Sequence, residues 1–230
     1  MRHAIQLGIS VLTLSAALAQ SKPDVAEILK NVSETYKGAS QYELVMHRTE
    51  TDPKTGEQKI FHFRTALKAP DRYRMEGAFP DSTGRGPIKG MDIVLDGARI
   101  WFYDPDLNEY SSYPASAIGH EIPDELEPSG IDFFTMARFR EAADHAGESS
   151  LLREEELEAG GRKIMCYVLY VARRGGHDTW WVDKSYRVVR EDGDGASTVY
   201  TTIKIGEPLS EKLFKFEPPS GAKRNVRSPN

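Results

Sequence analysis

The side chains of this 230-residue chain that could do chemistry include six histidines, 35 carboxylates and one cysteine. The histidines are His3, His47, His62, His120, His145 and His177. None stands in an H-E-x-x-H arrangement, the spacing that sets two imidazoles on one helix face for a metal. His47 and His62 could meet across a hairpin, but two imidazoles alone make a poor metal site. A nucleophile elbow needs G-x-S-x-G, and the chain has none. Gly84-Arg85-Gly86 and Lys89 suggest a phosphate loop, yet the G-x-x-x-x-G-K-[ST] spacing fails. Asp104, Asp106 and Asn108 begin like a calcium loop, which then requires Gly at its sixth position and Glu at its twelfth. Those positions hold Glu109 and Ala115, so a polar turn is the better reading. Glu154-Glu155-Glu156 reads as a solvated strand edge, and no pair of carboxylates is marked as acid and base at a cleft. Cys166 lies inside the apolar run Ile164–Val171 and reads as a small buried hydrophobe. With no second cysteine, an internal disulfide is impossible. The chain is therefore expected to be no enzyme, with no metal and no cofactor.

Strands dominate the elements that must carry these residues. One helix comes first: Pro23 and Asp24 can start it, Val25, Ile28, Leu29, Val32 and Tyr36 form one apolar stripe, and Gly38 can close it. Tyr42, Leu44 and Met46 then alternate with polar residues, as do Phe61, Phe63, Thr65 and Leu67, and again Tyr73, Met75, Gly77 and Phe79. That period of two, broken by Asp52–Gly56 and Ala69-Pro70-Asp71, predicts an antiparallel meander with one apolar and one wet face. Met91–Leu95 and Arg99–Tyr103 form a hairpin about Asp96-Gly97. Ile131–Ala146 reads as a second helix. From Leu151 the turn signals at Gly160-Gly161, Gly175-Gly176, Asp183-Lys184 and Asp192–Gly195 punctuate four further β segments.

The N-terminus predicts export. Arg2 and His3 precede an apolar run, Ala4–Leu18, and Ala17-Leu18-Ala19 supplies the small residues of an A-x-A cleavage site. The run is shorter than the ~20 residues of a spanning helix. Residues 1–19 are thus expected to be a signal peptide and residues 20–230 a single domain. No cysteine follows the run, so a lipid-modified N-terminus of the bacterial lipoprotein kind is not expected. The net charge of −5 is spread evenly, which argues against nucleic acid as a partner.

The unusual feature is aromatic and sulfur-rich apolar surface on alternating strand positions, among them Phe61, Phe63, Met75, Trp101, Tyr103, Met165, Trp180 and Trp181. An ordinary core and a lined cavity both use such residues, and composition does not separate the two.

Three stretches carry a resemblance to a known family. Pro70-Asp71-Arg72-Tyr73-Arg74 is similar to a P-x-R-[FY]-R strand opening. Asp96-Gly97, followed by Ile100-Trp101-Phe102-Tyr103-Asp104-Pro105, is similar to a D-G-x-x-[LI]-W-x-Y-[DN]-P hairpin. Phe214-Lys215-Phe216-Glu217-Pro218-Pro219-Ser220-Gly221 is similar to a closing F-x-F-x-P-P-x-G, and Trp181-Val182-Asp183 fits a W-V-D strand. In this order they resemble the LolA-type periplasmic carriers of outer-membrane lipoproteins and their LolB- and RseB-like relatives. The resemblance implies a mainly β protein with helices (α+β), a curved incomplete antiparallel β-barrel covered by helices. It also implies a periplasmic, monomeric carrier whose hydrophobic cavity takes the acyl chains of a lipoprotein or lipid from a membrane-bound donor and delivers them to an acceptor. The expected lining is Leu44, Met46, Phe61, Phe63, Met75, Trp101 and Tyr103. The family's carrier has an arginine near its first strands that holds a lid closed, and Arg48 and Arg64 are the candidates here. The alternative the resemblance offers is an RseB-like sensor of envelope stress. Such regulators usually carry a second C-terminal domain, whereas this chain reaches Asn230 soon after the closing motif.

Overall fold

A computed structural model describes residues 23–79, 89–117, 135–173 and 175–225. The expected signal peptide and its cleavage site lie outside the described residues, as does Ile131 at the start of the expected second helix.

Helix α1 (Val25–Lys37) starts where the Asp24 carboxylate accepts the Ala26 N–H (3.1 Å) and ends where the Gly38 N–H reaches Glu34 O (3.1 Å). Its stripe of Ile28, Leu29, Val32 and Tyr36 is buried. A meander follows: β1 (Gln41–Thr51), β2 (Gln58–Lys68), β3 (Arg72–Phe79), β4 (Lys89–Asp96), β5 (Arg99–Asp104) and β6 (Glu109–Pro114). The expected second helix ends earlier than its pattern suggests. Helix α2 covers Thr135–Arg140, and the chain then tightens into a 3-10 helix, Ala142–Glu148. Where four segments were expected, five strands stand: β7 (Ser150–Ala159), β8 (Arg162–Arg173), β9 (Gly176–Asp183), β10 (Val188–Gly193) and β11 (Ala196–Ile205). A two-residue β12 (Lys223–Arg224) follows a 3-10 turn, Glu211–Phe214.

All twelve strands form one sheet in the order β12-β6-β5-β4-β3-β2-β1-β11-β10-β9-β8-β7, antiparallel except for the β12–β6 pair. The pairing of β1 with β11 joins the two meanders. β12 and β7 remain as edges, so the sheet is open rather than a barrel. It is nonetheless bent. A Cβ built on Gly160, in the β7–β8 turn, would lie 3.0 Å from Thr201 O on β11. Four strand spacings separate β7 from β11, which is ~19 Å in a flat sheet.

The two faces differ as a period of two requires. One carries a continuous apolar cluster under α1 and Phe139. The other carries a chain of alternating charges across five strands. Glu43 meets Lys204 (2.8 Å) and Arg64 (2.7 Å), Arg64 meets Glu76 (3.5 Å), and Arg74 meets Glu76 (2.6 Å) and Asp92 (2.7 Å). A smaller apolar cluster, Cys166, Val168, Trp181 and Val189, sits on that outer face near the β7 end.

Candidate ligand-binding face

Register places the apolar side chains. In the β1–β2 ladder Met46 faces Phe63 and Arg48 faces Phe61; in the β2–β3 ladder Thr65 faces Met75. Leu44, Met46, Phe61, Phe63 and Met75 therefore share the helix-bearing face. Leu44, Phe61 and Met75 are each 1 % exposed, and Met46 and Phe63 are nearly as buried. The Phe61 and Phe63 rings stack 6.1 Å apart. Phe63 lies over Gly77, its register partner, where a Cβ would come within 2.5 Å of the ring.

Trp101 and Tyr103, expected in the same lining, lie on the opposite face. Ile100 and Phe102 take the inward positions of β5, so their neighbours must point outward. There Trp101 stacks on Phe216 (5.3 Å) and donates its indole N–H to Asp96 Oδ2 (2.9 Å). Asp96 Oδ1 accepts the N–H groups of Ala98 and Arg99, each at 2.9 Å, and Gly97 takes φ +91°. The D-G-x-x-x-W pattern is thus a turn that ties down its own tryptophan. Tyr103 also packs near Phe216 (6.0 Å).

The cover on the inner face is helical. Tyr36 of α1 packs on Phe139 of α2 (4.9 Å), and Phe139 meets Trp180 edge-on (5.1 Å). Among the described residues the Tyr36–Val188 bond ties it to the sheet, as does the Arg138–Glu191 pair, and two further bonds tie its helices to each other. The buried Tyr36 hydroxyl accepts the Val188 N–H of β10 (3.0 Å), Ser33 donates to Arg140 O, and Arg140 Nε donates to Tyr36 O (3.3 Å). Burial pushes the Tyr36 phenol well above its ordinary range.

A polar cluster that no sequence motif signalled lies at one end of this face. Arg138 of α2 pairs with Glu191 of β10, and Tyr200 donates to Glu191 Oε1 (2.8 Å). Burial raises the Glu191 carboxyl, against the opposing pull of Arg138. Arg138, Glu191 and Trp180 line a cavity of about 320 Å³ with Arg48, Arg173 and Asp178 at its sides. Its only advance signal was Glu191 at an inward strand position, which a turn-and-alternation reading does not single out.

The two arginine candidates part. Arg48 is on the inner face, paired with Glu50 (2.8 Å) and beside that cavity; Arg64 belongs to the outer charge chain. His47 and His62 do meet, 4.4 Å apart, on the outer face. Asp104 Oδ1 accepts the N–H groups of Asp106 (2.9 Å) and Leu107 (3.0 Å), the bonding of a polar turn. Cys166 is fully buried, and burial raises its thiol to about 11.

No family model matches the chain. Over 201 residues, 86 % of this chain, it is 24 % identical to an uncharacterized protein of Methanocaldococcus jannaschii. Over 157 residues, 60 % of this chain, it is 23 % identical to an outer-membrane lipoprotein carrier protein of Hahella chejuensis. The chain spans 52 % and 62 % of the lengths of these two relatives. A similar solved structure is LprF from Mycobacterium bovis, 13 % identical, covering 82 % of this chain and 96 % of that one at a TM-score of 0.48. The second of these relatives carries the name of the carriers that the motifs around Pro70, Asp96 and Phe214 resemble.

Proposed function

We propose that this protein is an exported carrier that holds the acyl part of a lipoprotein or lipid against its helix-bearing face and releases it to an acceptor. The observation that carries the reading is the way the apolar face is covered. Here a 13-residue helix and a short neighbour lie over it, held by side-chain packing and tied to the sheet by the Tyr36–Val188 bond and the Arg138–Glu191 pair. Such a cover can lift without breaking the sheet. Leu44, Met46, Phe61, Phe63 and Met75 are then the wall against which a chain lies. Uptake is driven by apolar burial at ~0.8 kcal/mol per CH₂. Methionines on the wall accommodate chains of different shape. The proposal assigns no catalytic step and no cofactor. It includes cleavage after Ala19, release of residues 20–230 as one domain into the periplasm, and hand-over between membrane-bound partners. The sequence relative from Hahella chejuensis supports it.

Native mass spectrometry of the mature protein, with displacement of a fluorescent fatty-acid probe, tests this reading. Co-purifying acyl mass or saturable probe binding is expected. A protein that carries no lipid and takes up no probe would show the inner face to be an ordinary core. Phe63→Glu sharpens the test: a charge on the wall should abolish probe uptake in a variant that still melts cooperatively.

A further inference from the structure

At one end of the inner face three buried polar atoms have no hydrogen-bond partner among the described residues: Glu191 Oε2, Arg138 Nε and Trp180 Nε1. Their residues all line the same cavity of about 320 Å³. Glu191 and Trp180 are register partners on β10 and β9, 6 % and 2 % exposed. An unpaired buried polar group costs free energy, so three around one space mark a place built to be filled by a complementary group.

Most of the charges around this space are already paired, and His145 stands beside them in the lining. Arg173 is bridged to Asp178 (2.9 Å) and Asp194, Arg190 holds Asp192 (2.7 Å), Arg48 holds Glu50 (2.8 Å), and Glu191 already has Arg138. An added anion or cation would find these carboxylates and arginines engaged with one another. What remains open is one acceptor and two donors. The cavity also joins the apolar cluster: Trp180 and Val171 belong to both, and Phe139 touches Trp180 and Tyr200 (5.1 and 6.2 Å).

We infer that this cavity is a headgroup subsite for an uncharged group with both a hydrogen-bond donor and an acceptor, a hydroxyl or an amide, on an acyl chain that runs over the apolar face. Glu191 Oε2 accepts from the headgroup N–H or O–H, and Trp180 Nε1 and Arg138 Nε donate to its oxygen. The inference rests on the carrier reading and adds to it the chemistry of the cargo's polar end. A glycerolipid and the amide-linked end of a lipopeptide both present such a group.

The experiment compares four myristoyl-length ligands on the mature protein by displacement of a hydrocarbon probe that has no headgroup. These are monomyristoylglycerol, N-myristoylglycinamide, myristate and myristylamine. The uncharged pair should displace the probe at about tenfold lower concentration than the charged pair, and the better of the two names the source. Trp180→Phe keeps a ring against Phe139 and removes the indole donor. It should weaken the uncharged ligands about three- to tenfold, the worth of one hydrogen bond, and leave the hydrocarbon probe unchanged. Glu191→Gln, checked for cooperative melting, supplies a second variant and should likewise act on the uncharged ligands alone. Probe binding without headgroup preference, or a Trp180→Phe protein indistinguishable from wild type, overturns the subsite and leaves the carrier reading standing. Failure of the probe itself to bind overturns the carrier reading and the subsite with it.

Discussion

Asp92 and Glu43 sit in one chain of alternating charges yet respond to pH in opposite senses. Burial raises the Asp92 carboxyl to about 6, although Arg74 beside it pulls the other way. The folded protein therefore keeps a proton on Asp92 that the unfolded chain releases near pH 4. The stability this contributes is present below pH 4 and is lost as pH rises from about 4 through 6. The hydrogen bond from Lys204, with Arg64 assisting against burial, holds Glu43 below its usual range. Its contribution is present above the unfolded carboxylate pKa and is lost as pH falls below it. Urea midpoints at pH 4, 5, 6 and 7 separate the two: Asp92→Asn should flatten the decline between pH 4 and 6 and leave the acid limb in place. At Gly77 the issue is space. A methyl group there would meet Phe63 at 2.5 Å and His62 O at 2.7 Å. Gly77→Ala should cost about 1–3 kcal/mol by overpacking, read as a lowered melting temperature.

At the scale of elements, α1 matters as the cover of the inner face. Val188 N–H has the Tyr36 hydroxyl as its partner across the packing between helix and sheet. Tyr36→Phe keeps the ring against Phe139 and strands that N–H. The expected cost is about 1–3 kcal/mol, with faster amide exchange along α1 than along β1 and β2. An α1 that exchanges as slowly as the central strands in this variant would show that the bond does not hold the cover down. The helix itself was legible, because Asp24 and a five-residue stripe specify its start and its buried side. The end of the second helix was read too late: its apolar pattern continues past Arg140, but beyond that point the chain follows a tighter 3-10 path to Glu148. Periodicity reports which residues want burial, and both helix types bury residues three apart.

For the whole molecule, the carrier reading makes stability depend on cargo. A ligand that binds only the folded state adds RT ln(1 + [L]/Kd), about 2.7 kcal/mol at a hundredfold excess over Kd. Delipidated protein should melt lower than protein refilled with its acyl ligand, and the difference should grow with the logarithm of ligand concentration. A melting temperature indifferent to lipid would count against a cavity on the inner face. The edges of the sheet are managed by charge: β7 presents Arg153, Glu154 and Glu156 to solvent, which discourages pairing with a second copy.

Local chemistry was enough to determine the first strands and several of the turns. The Asp96-Gly97 turn, the Gly160-Gly161 turn and the alternation in β1, β2 and β3 are properties of a few neighbouring residues, set by backbone sterics and side-chain period. The alternation also showed that Leu44, Met46, Phe61, Phe63 and Met75 each take the apolar side of their strands. It could not show which side β5 turns to the helices. Trp101 and Tyr103 alternate as well as Ile100 and Phe102 do, and only the ladder to β4, which seats Phe102 beside Ile93, assigns the smaller pair to the core. The pairing of β1 with β11 joins residues 146 to 163 positions apart, and Arg138 lies 42 positions from Trp180 and 53 from Glu191. Contacts at that range leave no local period in the sequence. They exist because a bent sheet brings distant strands under one helical cover, and tertiary structure alone decided them.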